Sequence, residues 1–312
     1  MASEGKLIET LLSTLREHGY RGRVVPVGRL RDLKQEIEAY YREGFFDAEF
    51  YQEELAALHF GPPATLPTAR SVILATASQP QVRVTFTWKG KHVPLVVPPT
   101  YSQKTDRLIE RLVADALATR DYRIVRAGVP KKSLAVRCGL GEYGRNNIVY
   151  VQGMGSFHRL VAFFSDLPCE DDNWRAPQLA ERCRKCRACI DACPTGAIDR
   201  KRFLLRAERC ITFRNEKPRN VPFPAWLDSS WHNCLAGCMN CQRFCPLDKD
   251  FVDWFEYGAT FTDQETRLFL RGATLEQLPD STVKKLEQSE MLEFLDLFPR
   301  NLPVLLRERV SG

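Results

Sequence analysis

Apolar positions near the start of the chain recur with a helical period. Leu7, Ile8, Leu11, Leu12 and Leu15 form one stripe, with Glu4, Lys6, Glu9 and Arg16 between them, which predicts an amphipathic helix over roughly the first twenty residues. Arg23 to Val27 reads as a short strand. Leu30 to Arg42 returns to the helical period, with Leu33, Ile37, Tyr40 and Tyr41 on one side, and a further helix from Phe46 to Leu58 runs into Gly61-Pro62-Pro63, which ends it. The period then changes to two. Ser71 to Ala77 is a continuous apolar run suited to a buried strand, and Gln81 to Trp88 alternates as a half-exposed strand does before turning at Lys89-Gly90-Lys91. A Pro-rich connection, Val93 to Thr100, leads to a helix from about Gln103 to Arg120 that buries Leu108, Ile109, Leu112, Val113 and Leu117. Strands follow at Tyr122 to Val125, Ile148 to Val151 and Leu160 to Ser165.

This interleaving predicts an α+β protein whose first domain, residues 1–168, is a layered α/β unit. A cysteine-rich domain at 169–250 follows, and 251–312 offers short helices at Asp263 to Leu270 and Thr282 to Phe298.

The cysteines carry the chemistry. The chain reads Cys183-x2-Cys186-x2-Cys189-x3-Cys193-Pro194, then Cys210, then Cys238-x2-Cys241-x3-Cys245-Pro246, with Cys234 just ahead of the last group. Three cysteines spaced by two residues let one tight loop wrap three corners of a cubane, and a fourth followed by Pro points to a second cluster. The spacing assigns Cys183, Cys186, Cys189 and Cys245 to one 4Fe-4S cluster, and Cys193, Cys238 and Cys241 to another. Leu235 stands where the repeat wants a ligand. Cys210 and Cys234 compete for that place, and the cramped spacing from Cys234 to Cys238 favours Cys210. A zinc ribbon is the alternative, but zinc needs only paired Cys-x2-Cys sites and no Cys-Pro endings. Cys138 and Cys169 read as spare or buried thiols.

Composition narrows the setting. The chain has 312 residues, 44% of them hydrophobic, and a net charge of +6, ordinary for a globular protein. Its amino terminus is too interrupted by charge for an export signal or a membrane span, and thiols committed to clusters point to a reducing cytoplasm. Arg182, Arg184, Lys185 and Arg187 interleave the first motif, and Arg200, Lys201, Arg202, Arg206 and Arg209 follow it. Cations there raise the potential of an anionic cluster and attract an acidic electron donor such as a ferredoxin or flavodoxin.

Glycines are dense in Gly139-Leu140-Gly141-Glu142-Tyr143-Gly144-Arg145-Asn146-Asn147 and in Gly153-Met154-Gly155-Ser156-Phe157-His158-Arg159. Such density implies close backbone approach, either to a flat ligand or within irregular turns. A dinucleotide fingerprint is disfavoured, because a strand rather than a helix follows.

Together with the cluster region, these blocks resemble the epoxyqueuosine reductases over about Leu66 to Asp250. The resemblance implies an amino-terminal, nitroreductase-like domain that carries cobalamin, and a ferredoxin-like domain whose two 4Fe-4S clusters feed electrons to cobalt. It implies Cys210 as the remaining ligand, through the shared Arg209-Cys210-Ile211 context. It also implies that Gly139, Gly141, Gly144, Arg145, Asn146, Asn147, Gly155 and Ser156 lie against the corrin, so that bulk at Gly141 or Gly144 blocks cobalamin and spares iron. His158, just after the second block, reads as a hydrogen-bonded structural histidine before it reads as a group approaching cobalt or substrate.

The chain also departs from the family. No acidic residue lies between Asp121 and Glu142, where the family carries its proton-donating Asp; the segment holds Arg123, Arg126, Lys131, Lys132 and Arg137. Tyr101, Tyr143 and Glu142 are the candidate replacements, and the basic segment suggests an anionic substrate. The family's tRNA-holding helical tail is not evident either. The expectation is therefore a cobalamin-dependent iron–sulfur reductase acting on a substrate of its own. Epoxyqueuosine reduction on tRNA is the first alternative, and a ferredoxin-like electron carrier or activase the second.

Overall fold

The computed structural model describes residues 2–101, 103–170 and 173–310. In chain order the elements are α1 (Ala2–Glu17), β1 (Arg21–Pro26), α2 (Arg29–Arg42), α3 (Ala48–Phe50), β2 (Ser71–Ser78), β3 (Gln81–Trp88), β4 (Lys91–Val97), α4 (Lys104–Ala118), β5 (Ile124–Arg126) and α5 (Lys131–Arg137). There follow β6 (Glu142–Tyr143), β7 (Val149–Tyr150), β8 (His158–Ser165), α6 (Ala188–Asp191), α7 (Ile211–Asn215), α8 (Asn240–Arg243), β9 (Phe255–Phe261), α9 (Asp263–Leu270), α10 (Asp280–Gln288) and α11 (Phe298–Val310). They form two compact units that do not follow the linear boundaries expected at 168 and 250. The first comprises Met1–Gln79, Ser102–Arg187 and Arg200–Arg206; the second comprises Pro80–Tyr101, Ala188–Asp199 and Ala207–Gly312.

The first unit is built on an antiparallel sheet in the order β1-β2-β8-β5. Its central strand β2 is apolar on both faces because both are covered. Val72 and Leu74 join Leu30, Leu33, Leu134 and Phe164 in one core, on the side of α2 and α5. Ile73, Ala75 and Ala77 join Leu11, Leu15, Ile109, Val113 and Phe163 in the other, on the side of α1 and α4. Alternate residues of one strand thus serve opposite layers, as the period of two requires, and each fully buried Leu, Ile or Phe contributes about 1.5–3 kcal/mol. The reading of this region as mixed helix and strand holds.

In the second unit β3 pairs antiparallel with β4 and parallel with β9. The Pro-rich stretch after Val93 is therefore a strand rather than a connection. Pro94 is accommodated because β4 lies at the edge of its sheet. The segment 251–312 is not purely helical either, since β9 opens it. Phe86 of β3 stacks on Phe261 at 5.0 Å between ring centroids, and Phe269 and Phe298 close edge-on around the pair. The helix expected from Thr282 to Phe298 ends instead at Gln288, where Glu290 takes a left-handed φ of 52°, and α11 begins at Phe298.

Candidate functional site

Within the second unit α6 and α8, each carrying part of a cysteine motif, pack against one another. Burial pushes the Cys238 thiol up to about 11, with Cys210 and Cys193 adding to the rise. Burial likewise raises Cys210, again with Cys193 adding to it. Cys193, Cys210 and Cys238 are thus brought into mutual influence, as ligands of one centre must be. Among the described residues no three His, Cys, Asp or Glu side chains close on a single metal ion; a cubane spreads its thiolates further apart than one zinc does. Neighbouring thiols of which two are raised fit a cationic iron–sulfur core, which holds thiolates at neutral pH by supplying the missing positive charge.

Cys234 is placed differently. It is fully buried, and its Sγ donates to Asn233 Oδ1 at 3.0 Å. Asn233 also donates from Nδ2 to Cys238 Sγ at 3.4 Å and accepts from the Met239 amide at 2.9 Å, so it shapes the turn into the second motif. Asn215 supports the same turn by donating to the Gly237 carbonyl at 2.9 Å, and Asn301 of α11 donates to the Leu235 and Asn215 carbonyls at 2.8 and 2.9 Å. These asparagines carry no sequence signal, because each is isolated, and the carbonyl partners of Asn215 and Asn301 are distant in the chain.

The glycine blocks lie in the first unit and form the β6–β7 hairpin with its approaches. A Cβ on Gly141 would sit 2.6 Å from Val149 Cγ1 and 2.7 Å from the Tyr150 carbonyl oxygen; one on Gly144 would overlap the Tyr150 ring. Gly139 follows α5 with a φ of 70°, as a helix terminator does, and Gly155 has a φ of 55°. The space freed at Gly141 and Gly144 is filled by the hairpin itself. Asn146 donates to the Tyr150 hydroxyl at 3.1 Å, Asn147 holds the Phe203 carbonyl and the Leu205 amide, and Ser156 is buried. Arg145 donates to the Cys183 carbonyl from Nη2 at 3.0 Å and from Nε at 3.3 Å. These side chains hold the fold around the first cysteines.

His158 is held at both ring nitrogens, Nε2 by the Val149 carbonyl at 2.8 Å and Nδ1 by Thr76 Oγ1 at 3.0 Å. Its pKa is lowered by burial, with Lys132 assisting and the Val149 contact opposing. The folded protein therefore keeps His158 neutral in a range where the unfolded chain, titrating near 6.5, binds a proton. Stability should be full above about pH 6.5 and fall as pH drops below it. Urea unfolding at pH 7 and pH 5 checks this; equal midpoints would count against it.

The candidate proton donors are tied in. Tyr143 is buried, shares a hydrogen bond with Ser133 Oγ at 3.1 Å and is pushed up to about 12 by burial. Tyr101, in the second unit, donates to Glu216, and burial followed by that carboxylate raises it well above its ordinary value. Both hold their protons tightly. Glu142 is half-buried on β6. The basic segment is largely neutralised, contrary to its reading as a cationic wall. Arg126 bonds Asp106 and Glu110 of α4 at 3.0 and 2.7 Å, Arg137 bonds Glu36 of α2 at 2.7 Å, and Arg123 bonds Asp166 at 3.4 Å. Lys131 and Lys132 are left without an ion pair among the described residues, and burial lowers the pKa of Lys131.

Residues 182–248 match the 4Fe-4S double cluster binding domain. The epoxyqueuosine reductase of Staphylococcus aureus is 28% identical over 229 residues, 70% of this chain and 58% of that enzyme. The chain is similar to the epoxyqueuosine reductases. It spans little more than half the length of that relative, so the match carries the redox region further than it carries a substrate. A tetrachloroethene reductive dehalogenase of Desulfitobacterium hafniense is 35% identical over 158 residues, 42% of this chain and 29% of that protein. Among solved structures, an epoxyqueuosine reductase with an epoxyqueuosine-modified tRNA stem loop superposes with a TM-score of 0.68 at 20% identity, covering 97% of this chain and 81% of that one. The chain thus shares the fold of these reductases along nearly its whole length.

Proposed function

We propose that this protein is an iron–sulfur reductase that passes electrons through two 4Fe-4S clusters to a corrinoid. The observation that carries the reading is the convergence of Cys193, Cys210 and Cys238 within a double-cluster domain. Cys183, Cys186, Cys189 and Cys245 would hold one cluster; Cys193, Cys210, Cys238 and Cys241 would hold the other. The clusters supply one-electron transfer, and the chain's own residues shield and position the thiolates. An acidic donor such as a ferredoxin or flavodoxin suits the arginines and lysines around the first motif.

Cobalamin enters through kinship with the reductases rather than through the glycines, since Gly141 and Gly144 are filled by Val149 and Tyr150. Equilibrium dialysis of anaerobically prepared, cluster-replete protein is expected to retain about one cobalamin per chain. No retention would leave an electron carrier or activase in place of a corrinoid reductase.

A second reading, epoxyqueuosine reduction on tRNA, is favoured by the superposition on the stem-loop complex. The missing carboxylate between Asp121 and Glu142, with Tyr101 and Tyr143 holding their protons tightly, speaks for another substrate, a small molecule. Single-turnover conversion of an epoxyqueuosine stem loop under strong reductant is therefore expected to be slow. A rate matching that of a known reductase run alongside would make the second reading the function.

A further inference from the structure

The β6–β7 hairpin is bound to the segment that delivers the first cysteines. The Tyr143 amide donates to the Gln178 carbonyl at 3.0 Å, and the Ala180 amide donates to the Tyr143 carbonyl at 2.8 Å. Three residues later the chain reaches Cys183. At the hairpin tip the Arg145 guanidinium is fixed by main-chain carbonyls: Cys183 at 3.0 Å, Arg184 at 3.5 Å and Arg200 at 3.4 Å. No carboxylate pairs with Arg145 among the described residues, so its charge is left for whatever Cys183 binds. Arg145 thus lies against the backbone of the first cysteine motif.

We propose that this hairpin sets the reduction potential of the cluster held by Cys183 and Cys186, with the fixed charge of Arg145 raising it. The inference rests on the two-cluster reading. Reduction adds one electron, and hence one negative charge, to a centre already bearing anionic thiolates. A fixed cation beside a ligand stabilises the reduced form and a fixed anion destabilises it, the more so where burial limits screening. The guanidinium fork matters as well as the charge, because it holds three carbonyls that a lysine could not hold together. Asn147, bonded to the Phe203 carbonyl and the Leu205 amide, keeps the tip in place.

The test is redox titration with dithionite of the anaerobically reconstituted full chain, followed by electron paramagnetic resonance, with iron assayed on every sample. No bond forms or breaks in the step observed; dithionite is oxidised and each cluster gains one electron. The wild-type chain should show two midpoints. Arg145→Gln should lower one, and Arg145→Lys should fall between Arg145→Gln and wild type, with the other midpoint unmoved in both. Full iron with unmoved midpoints, or a midpoint raised by Arg145→Gln, overturns the inference. If Arg145→Gln fails to keep its iron, Arg145→Lys still decides: a midpoint that is not lowered overturns it. A wild-type chain that takes up no iron strikes the iron–sulfur reading instead, which separates the two failures.

Discussion

Cys210→Ala is expected to lose about four of about eight irons per chain, whereas Cys234→Ala should keep all of them. Cys234 stands just ahead of Cys238 and Cys210 well before it, and spacing leaves both in competition for one place. The fold separates them by what each thiol faces. Cys210 acts on the ionisation of Cys238 and is itself acted on by Cys193. Cys234 is fully buried and donates to Asn233 Oδ1, on the far side of an asparagine that separately donates to Cys238 Sγ. Replacing Cys210 leaves three thiolates facing a core that wants four, so that cluster should be lost on reconstitution and its absorbance with it. Replacing Cys234 removes one buried sulfur and a weak hydrogen bond, at a cost of about 1 kcal/mol. Iron and sulfide assays on both variants check the pair. Loss of about four irons from Cys234→Ala, with Cys210→Ala intact, would reverse the ligand assignment.

Legibility in the sequence followed the range of the interactions involved. β2 and β8 could be read because their residues alternate between two cores, Val72 and Leu74 on one side and Ile73 and Ala75 on the other. β4 was hidden by Pro94, whose tolerance depends on an edge position that only the assembled sheet defines. β9 was hidden because Phe255–Phe261 includes Gly258 and pairs with β3, which lies far back in the chain. The cluster cysteines were legible because the geometry of a cubane dictates their local spacing. The basic segment was misread for the opposite reason. Arg126 and Arg137 look unpaired in sequence, yet Asp106, Glu110 and Glu36 reach them from α4 and α2. Asn233, Asn215 and Asn301 give no periodicity or motif at all and act through side-chain hydrogen bonds that only the folded chain brings together.

The glycines were legible as points of close approach, but their partner was not, and this changes what Gly141→Ala should do. A cofactor surface predicts lost cobalamin binding in a protein of normal stability. The hairpin predicts lost stability, because the new Cβ would meet Val149 Cγ1 at 2.6 Å, the Tyr150 carbonyl at 2.7 Å and Val151 Cγ2 at 3.3 Å. The valine methyls can turn away. The carbonyl belongs to β7 and cannot retreat without loosening its pairing with β6, where Glu142 faces Tyr150 and Tyr143 faces Val149. Overpacking of this kind costs about 1–3 kcal/mol, and the backbone contact places Gly141→Ala toward the upper end. Gly61 is the control, since nothing lies within 4 Å of its added Cβ and its φ is not left-handed; Gly61→Ala should change stability by less than about 0.5 kcal/mol. Because Tyr143 pairs with the segment leading to Cys183, Gly141→Ala should also weaken iron retention on mild heating. Urea unfolding of both variants, with iron followed through the transition, measures this. A Gly141→Ala protein as stable as wild type that no longer retains cobalamin would return the glycine to the cofactor and remove hairpin packing as its reason.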